Sequence, residues 1–527
     1  MAFAQKRATF AAFGRWLATV FALACCLCPA LPAQQGRDLG FLGTFAQWSK
    51  VEVALVGPSL RAEGEPNPFA IEVSATFRGP QGREFRVFGF YDGDGRGGPD
   101  GPIWKLRFSP DAVGRWTFVT SSEVGALDGL RGAFSVVPPP RRAPPFLRWG
   151  RLGYDGAHYL KFAQGPYWLK GGTNEPEDFL AADVLEGWAE KRRAIDYLAR
   201  VGVNSIYIML NTVGGDGDNV WPWIAKRRSD RFDIAKLARW EELFCHIQAR
   251  GIVLHLVFED DSAWTGYNRP LYYREMIARF AHHNALCWNI CEEYNERYTF
   301  DEVARFARMI RTFDPYDHPL TVHNVNAPER AEEMVRAGLD MTSIQTGVLA
   351  PRGHNALAIQ WRRRSEELGR PLVVHFDEAR PATDRRNVWA AYLGGAGWEA
   401  FVPRVREAGF AAEEKFWNEL RLARLFMERL PLAKMRPANE LVRGPGQYCL
   451  CLPGEVYAVY TGQARPVSLD LSRAKGRFFA QWYNPATGEY IAADGGDAQR
   501  GFLSGGGPRS FGAPPFAGDA ALLVRRL

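Results

Sequence analysis

Five polar, mostly acidic clusters in the middle of the chain each follow a short apolar run, an arrangement that can put a proton donor and a nucleophile on one reacting bond. Thr173-Asn174-Glu175-Pro176-Glu177-Asp178 follows YWLKGG, and Asn211 and Asp216 follow NSIYIML. Glu259-Asp260-Asp261 follows GIVLHLVF, Glu292-Glu293-Tyr294-Asn295 follows LCWNIC, and Asp377-Glu378 follows PLVVHF. Two carboxylates facing each other across a cleft suit cleavage of a glycosidic bond: one, protonated, gives its proton to the leaving oxygen while the other attacks the anomeric carbon. Glu293 and Glu378 fit those roles, with Trp288-Asn289 before the first and Arg380 after the second. Their neighbours Glu292 and Asp377 are the alternates. A separation of roughly 5 Å would select double displacement with retention. Glu175, Asn211, Trp221, Glu259, His323 and Arg380 are the expected substrate contacts.

Other chemistries find less support. His255 and His323 read first as packed, hydrogen-bonded histidines, although each could hold a sugar hydroxyl. His282 and His283 are adjacent and cannot share a helix face as an HExxH zinc motif requires. Cys287 and Cys291 have no second cysteine pair for zinc, and no G-x-S-x-G elbow is present. Asp92 and Asp94 lie in a D-G-D-G run without the remaining EF-hand acids, so a turn is the expectation. Trp221, Trp223 and Trp264 could stack on a pyranose, but most of the 17 tryptophans must be core. No metal and no cofactor is expected.

These groups need a scaffold. Residues 146–426 alternate eight short apolar runs with amphipathic helices such as IAKLARWEELFCHIQARG and FDEVARFARMIRTF, which matches a (β/α)8 TIM barrel; a doubly wound open sheet is the competitor, but no Gly-rich phosphate loop follows any of the runs. In that fold the clusters fall at the strand ends where sites assemble. Before it, residues 44–137 carry alternating strand runs with Gly, Pro and Asp turns, read as an N-terminal β-sandwich. PPPRRAPP at 138–145 is a stiff linker, and residues 437–527 read as a small C-terminal β-sandwich. Multidomain organisation suits 527 residues.

Lys6, Arg7 and Arg15 precede an uncharged run from Trp16 to Leu31, the pattern of an export signal spanning residues 1–33, with secretion or a cell-surface or periplasmic location expected. No later stretch is long and apolar enough to span a bilayer. The net charge of +6 includes those three residues, leaving about +3 without them, and no basic stripe suits nucleic acid. Three of the eight cysteines lie in the first thirty residues, and the remaining five do not make a disulfide framework.

WNICEEYNE resembles the WNxGEEN signature of secreted bacterial barrel proteins in the broad retaining-glycosidase clan. LKGGTNEPEDFL, GGDGDNVWPW, LYYREMIARFAHH, DPYDHPLTVHN and GGAGWEAF resemble other segments of those barrels. The resemblance implies that Glu293 is the acid/base and that a glutamate after strand seven is the nucleophile. Cys291 replaces the usual Gly, Glu292 the usual Asn, and DEARP a simpler Glu-Gly ending. The leading block resembles an uncharacterised β domain that precedes such barrels, and QWYNPATGEY resembles a domain labelled collagen-binding in them. The expected function is a secreted retaining glycoside hydrolase acting on a polysaccharide or oligosaccharide. A non-catalytic carbohydrate- or matrix-binding protein with a degenerate barrel is the alternative, and a lyase would need more than Arg380 to neutralise a uronate.

Overall fold

The computed structural model describes residues 37–174, 178–182, 185, 187–261, 264–402 and 409–527. The expected export segment and Glu175 lie outside the described residues.

The expected frame of a closed (β/α)8 TIM barrel between two β-sandwiches is not what forms. At the N-terminus β1 (Asp38–Ala46), β2 (Val51–Leu60), β3 (Val73–Arg78), β4 (Glu84–Tyr91), β5 (Gly101–Phe108), β6 (Gly114–Ser122) and β7 (Arg131–Val137) make one sheet in the order β1-β7-β6-β3-β4-β5-β2. Because β4 pairs with both β3 and β5, the hydrogen-bonded path is continuous, and the sheet curls into a nearly closed barrel instead of dividing into two layers. Alternating apolar residues mark one buried face per strand, but they do not say whether that face closes on its own sheet or on a second one. The D-G-D-G run is a turn: Asp94 Oδ1 accepts from the Arg96 and Gly98 amides, and Asp92 pairs with Lys105.

The central unit contains β11 (Gly171–Asn174), β12 (Ser205–Met209), β13 (Val253–Val257), β14 (Leu286–Asn289), β15 (Leu320–Thr321), β16 (Ile344–Val348), β17 (His375–Arg380) and β18 (Gly397–Phe401). All eight belong to one parallel sheet in the order β15-β14-β13-β12-β11-β18-β17-β16. Its edge strands β15 and β16 are not paired as strands; an isolated bridge, His323–Ser343, lies just beyond them, and the sheet is a half-barrel. The reason is local: β15 is two residues long, and β16 begins beyond the residues that could pair with it. YWLKGG was expected to form the first barrel strand. Instead β10 (Tyr167–Trp168) joins β8 (Leu152–Gly153) and β9 (Leu160–Phe162) in a separate antiparallel sheet. Leu152, Leu160, Phe162 and Trp168 of that small sheet, with Phe146 of the short helix before it, pack against Val253, Cys287, Met341 and Val373, covering the N-terminal ends of the strands.

Helices between these strands bury their apolar faces against the sheet. Trp188–Val201 buries Ile195 and Leu198, and Ile234–Ala249 starts at an Asp233 cap and buries Leu237, Trp240 and Phe244. Phe300–Phe313 opens with a capping box in which Thr299 and Glu302 each satisfy the other's backbone amide. Among the described residues no helix is long and apolar enough to cross a membrane.

The C-terminal region has a main sheet that includes Gln447–Leu452, Val456–Thr461, Arg477–Tyr483 and Ala520–Arg526, plus a two-stranded ribbon, Val467–Asp470 with Pro508–Phe511. The ribbon buries Val467, Leu469 and Phe511 against Cys449, Cys451 and Trp482. None of the five cysteines among the described residues is in a disulfide.

Charged groups join the N-terminal unit to the half-barrel. Glu241 receives Lys50 Nζ at 2.8 Å, Arg107 at 3.3 Å, and the Nε2 atoms of His282 and His283 at 3.1 and 3.2 Å. Burial alone would raise the Glu241 carboxyl, but Arg107, His282 and Lys50 outweigh it and hold it well below its usual range. Burial pushes His282 down to about 3 and lowers His283 as well. Replacing Glu241 with Ala takes the carboxylate from half-buried Lys50 and leaves buried Arg107 with Glu52 alone, so the denaturant midpoint should fall by the equivalent of about 3 kcal/mol. Stability should also decline as the pH drops below 6.5, because the unfolded chain takes up protons at these histidines that the folded one refuses. Thermal melts between pH 7 and 4 measure the slope, and a flat profile would contradict this account.

Candidate active site

The C-terminal ends of β14, β15, β16 and β17 bring Glu292, Glu293, His323, Gln345 and Glu378 together. After β14 the backbone bends at Glu293, whose φ of 34° and ψ of 47° lie in the left-handed region that a glutamate seldom occupies. Two backbone bonds brace that bend: Glu292 N donates to Glu259 O and Tyr294 N to His323 O. Strain kept in this way is a mark of functional positions.

On β17 the register against β16 steps from Ile344–Phe376 to Gln345–Glu378, leaving Asp377 as an extra residue. A bulge of this kind removes strict alternation and lets adjacent side chains both leave on one side of the sheet. Asp377 is fully buried and its Oδ1 accepts from Lys170 Nζ at 2.8 Å. Glu378 instead meets Gln345 and His323.

Gln345 is the bridge. Its Nε2 donates to Glu293 Oε1 at 2.5 Å and to Glu378 Oε2 at 2.9 Å, so those two oxygens lie no farther apart than the sum of the distances, 5.4 Å. Its Oε1 accepts from Asn324 Nδ2 at 2.5 Å, which fixes which end of the amide faces the acids. Gln345 is not legible in the sequence as an acid, a base or a nucleophile, because an amide is none of these. Its place in MTSIQT, near the end of the sixth expected strand, was the available signal.

Charges alternate around Glu378. His323 Nε2 is 3.3 Å from Glu292 Oε1 and 3.6 Å from Glu378 Oε2, and its Nδ1 lies 3.1 Å from Ser343 Oγ. Burial alone would depress the imidazole, but Glu292 and Glu378 outweigh it and push it up to about 9, so it is a cation at neutral pH. Burial alone would raise the Glu378 carboxyl; His323 and Arg380, the latter 3.0 Å from Oε1, outweigh that and hold it below its usual range. Asp261, Glu293 and Glu296 converge on the other side, with oxygens within 4.8 Å of one another. Burial, then Asp216 and Glu293, raises Asp261, and the charge of Glu293 raises Glu296. Gly215 lets its loop approach this acidic wall, since a Cβ there would lie 2.3 Å from Asp260 Oδ2.

Beneath these groups Lys170, His255, Asp377 and Glu399 fill the interior without solvent exposure. Lys170 Nζ also donates to Glu399 Oε2 at 2.6 Å, and Ser205 Oγ donates to Glu399 Oε1 at 2.6 Å. Burial first, then Lys170, pushes His255 well below its usual range. Neutral His255 can donate Nδ1–H to Glu399 at 3.0 Å and accept from Asn289 Nδ2 at 3.3 Å.

The remaining expected contacts divide. Glu259 does not face the cleft: it is buried and bonded by Arg269, Tyr267 and Tyr298. Asn211 is buried, with Oδ1 capping Val213 N. Trp221 is half-buried and Lys236 Nζ sits 4.9 Å from its ring centre, so an ammonium occupies a face that a sugar would use. Trp223 is core, packed against Trp264 and Tyr267. Among the described residues four groups have cation-binding geometry, and two of them lie at this cleft, Glu292/His323/Glu378 and Asp261/Glu293/Glu296. In the first, the imidazolium already supplies positive charge between the carboxylates.

Residues 44–123 match a sequence family described as a domain of unknown function (DUF5060). The chain matches none of the curated proteins. Among solved structures it resembles a Bacteroides vulgatus protein described as a candidate glycoside hydrolase, at 18% identity and a TM-score of 0.70, over 92% of this chain and 100% of that one. A protein described as a glycoside hydrolase aligns with 16% identity and a TM-score of 0.59, over 73% of this chain and 98% of its own. A Bacteroides vulgatus glycoside hydrolase of family 5 has the same identity and TM-score, over 73% of this chain and 95% of that one. The likeness at these identities is one of fold, and the fold of this chain is glycosidase-like.

Proposed function

We propose that the chain is a retaining glycoside hydrolase of a polysaccharide or oligosaccharide, with Glu378 as nucleophile and Glu293 as acid/base. The observation that carries this reading is the Gln345 amide nitrogen bonded to both carboxylates, which keeps their nearest oxygens within 5.4 Å. Double displacement needs carboxyl groups about 5–5.5 Å apart, whereas the inverting route needs room for a water. In the first step Glu378 attacks the anomeric carbon, the glycosidic C–O bond breaks and Glu293 gives its proton to the leaving oxygen. In the second, Glu293 takes a proton from water, whose oxygen displaces Glu378 and releases the sugar. His323 and Arg380 favour the ionised Glu378 that the first step uses. The buried pairing of Asp377 with Lys170 argues against Asp377 as nucleophile.

A panel of polysaccharides and aryl glycosides tests the assignment. Glu378→Ala should lose activity by about 10⁴-fold or more. Glu293→Ala should retain turnover of substrates with a dinitrophenolate leaving group, and azide should accelerate it. Asp377→Ala should chiefly lower the melting temperature, because it uncovers a buried ammonium. Normal turnover by Glu378→Ala would end the proposal and favour the non-catalytic carbohydrate-binding reading.

Gln345 should matter through both acids. Removing its two hydrogen bonds with Gln345→Leu should lower kcat by about 10–100-fold, the worth of about 1.5–3 kcal/mol for a bond to a charged group. KM should change little, and an unaltered kcat would show that the bridge is not used.

We also propose that residues 1–33 direct export, from their basic-then-apolar pattern. Protein recovered outside expressing cells should begin at Gln34, and recovery of an intact Met1 terminus only from cytoplasm would refute it.

A further inference from the structure

The four groups with cation-binding geometry among the described residues are not equivalent. Glu241, His282 and His283 already receive Lys50 and Arg107, and His255, Asp377 and Glu399 enclose the Lys170 ammonium. The wall of Asp261, Glu293 and Glu296 offers oxygen alone, and none of its residues is fully buried. Glu292, His323 and Glu378 differ from all of these. They are buried, they combine one imidazole nitrogen with two carboxylates, and their three donor atoms lie within 4.8 Å of one another.

Their spacing is that of ligands on one ion. His323 Nε2 stands 3.3 Å from Glu292 Oε1 and 3.6 Å from Glu378 Oε2. A charge-assisted hydrogen bond would draw such atoms to about 2.7–2.9 Å, yet this fully buried nitrogen makes no hydrogen bond among the described residues. Two donors that share a zinc ion at 2.0–2.2 Å and the tetrahedral angle stand about 3.3–3.6 Å apart. Both measured edges fall there, so an ion between the three side chains needs little movement of them. In metal sites the second imidazole nitrogen and the ligating carboxylates have hydrogen bonds of their own. Here His323 Nδ1 lies 3.1 Å from Ser343 Oγ, and Glu378 accepts from Gln345 and Arg380. Glu292 and Glu378 keep 7% and 5% of their surface exposed and His323 none, so an ion enters past the carboxylates.

We propose that Glu292, His323 and Glu378 bind one zinc ion, and that the bound ion shuts the hydrolase site. One imidazole and two carboxylates with a fourth position open suit zinc, whereas Mg²⁺ and Ca²⁺ demand six or more ligands, nearly all oxygen. The ion takes the place of the imidazole proton, which leaves to solvent, and its two charges match the two carboxylates. With Glu378 Oε2 on the metal, the electron pair that would attack the anomeric carbon is engaged. The shut state rests on the hydrolase reading; the binding of zinc does not.

The full chain, stripped with EDTA, should take up one zinc ion in a calorimetric titration and no Mg²⁺. Co²⁺ in its place should give the visible absorption of a tetrahedral site. Partners of a metal ligand are worth about 10–100-fold in affinity, so Ser343→Ala should weaken zinc about tenfold and His323→Ala, which removes a ligand, about 100-fold or more. Glu292→Gln keeps the shape of the side chain and should weaken zinc about tenfold or more; it carries the test if the other two do not fold. Glu296→Gln, in the acidic wall, should leave the affinity within about twofold. Turnover of an aryl glycoside should fall in step with zinc occupancy and return with EDTA. Absence of a saturable site, unchanged affinity in Glu292→Gln and His323→Ala, loss of binding in Glu296→Gln, or full turnover at saturating zinc would overturn the proposal. Zinc bound as expected by a chain that cleaves no glycoside would uphold the ion site and count against the hydrolase reading instead.

Discussion

A fully buried ammonium, Lys170 Nζ, sits within the half-barrel, and the arrangement of the site follows from satisfying it. Such a charge survives away from water only if carboxylates and further hydrogen bonds surround it. Asp377 supplies one carboxylate at 2.8 Å and Glu399 the other at 2.6 Å, drawing β17 and β18 around the residue that precedes β11. Drawing Asp377 inward is what the extra residue on β17 permits, and the same bulge sends Glu378 toward Gln345. A strictly alternating strand would face Asp377 and Glu378 in opposite directions.

The gap between β15 and β16 is part of the same design. Continuous pairing there would commit the backbone just where His323 and Gln345 leave the sheet. Instead one bridge, the bond from Asp340 N to Leu320 O and side-chain bonds such as Thr321 Oγ1 to Met341 O and His323 to Ser343 span the edge, and the side chains of His323 and Gln345 occupy the space between the acids. The result alternates charge along Glu292, His323, Glu378 and Arg380. That order keeps one carboxylate ionised in a largely dry place, while the acidic wall of Asp261 and Glu296 lies beside Glu293. Different surroundings can give two like groups different work.

The N-terminal sheet is held to the half-barrel by buried ions as well as apolar contact. Arg279 shows the pattern: it donates to Tyr91 O at 2.7 Å, pairs with Glu275 and lies over the Phe90 ring. The same sheet also reaches the connection that carries Asp216, where Arg231 donates to Gly64 O and Glu65. The match to DUF5060 covers part of this attached sheet and none of the strands that carry the carboxylates.

Much of the scaffold was legible in local pattern. Runs such as NSIYIML and GIVLHLVF are short, apolar and rich in β-branched residues, and the helices between them repeat at the helical period, so element type followed from periodicity alone. Glu293 and Glu378 were legible because acids placed directly after such runs are exposed to one end of a parallel sheet. The sheet's openness was not legible, because closure depends on the relative lengths and offsets of β15 and β16, which no single strand encodes. Nor was the curl of the N-terminal sheet, since one buried face per strand is common to a curled sheet and to a layered pair. Glu259 and Glu378 occupy equivalent places in the sequence pattern, yet one is enclosed by Arg269 and two tyrosines and the other faces Gln345. Sequence determined which residues could carry charge at a strand end; tertiary packing decided which charges were neutralised in the interior and which remained available, because that depends on partners distant in the chain.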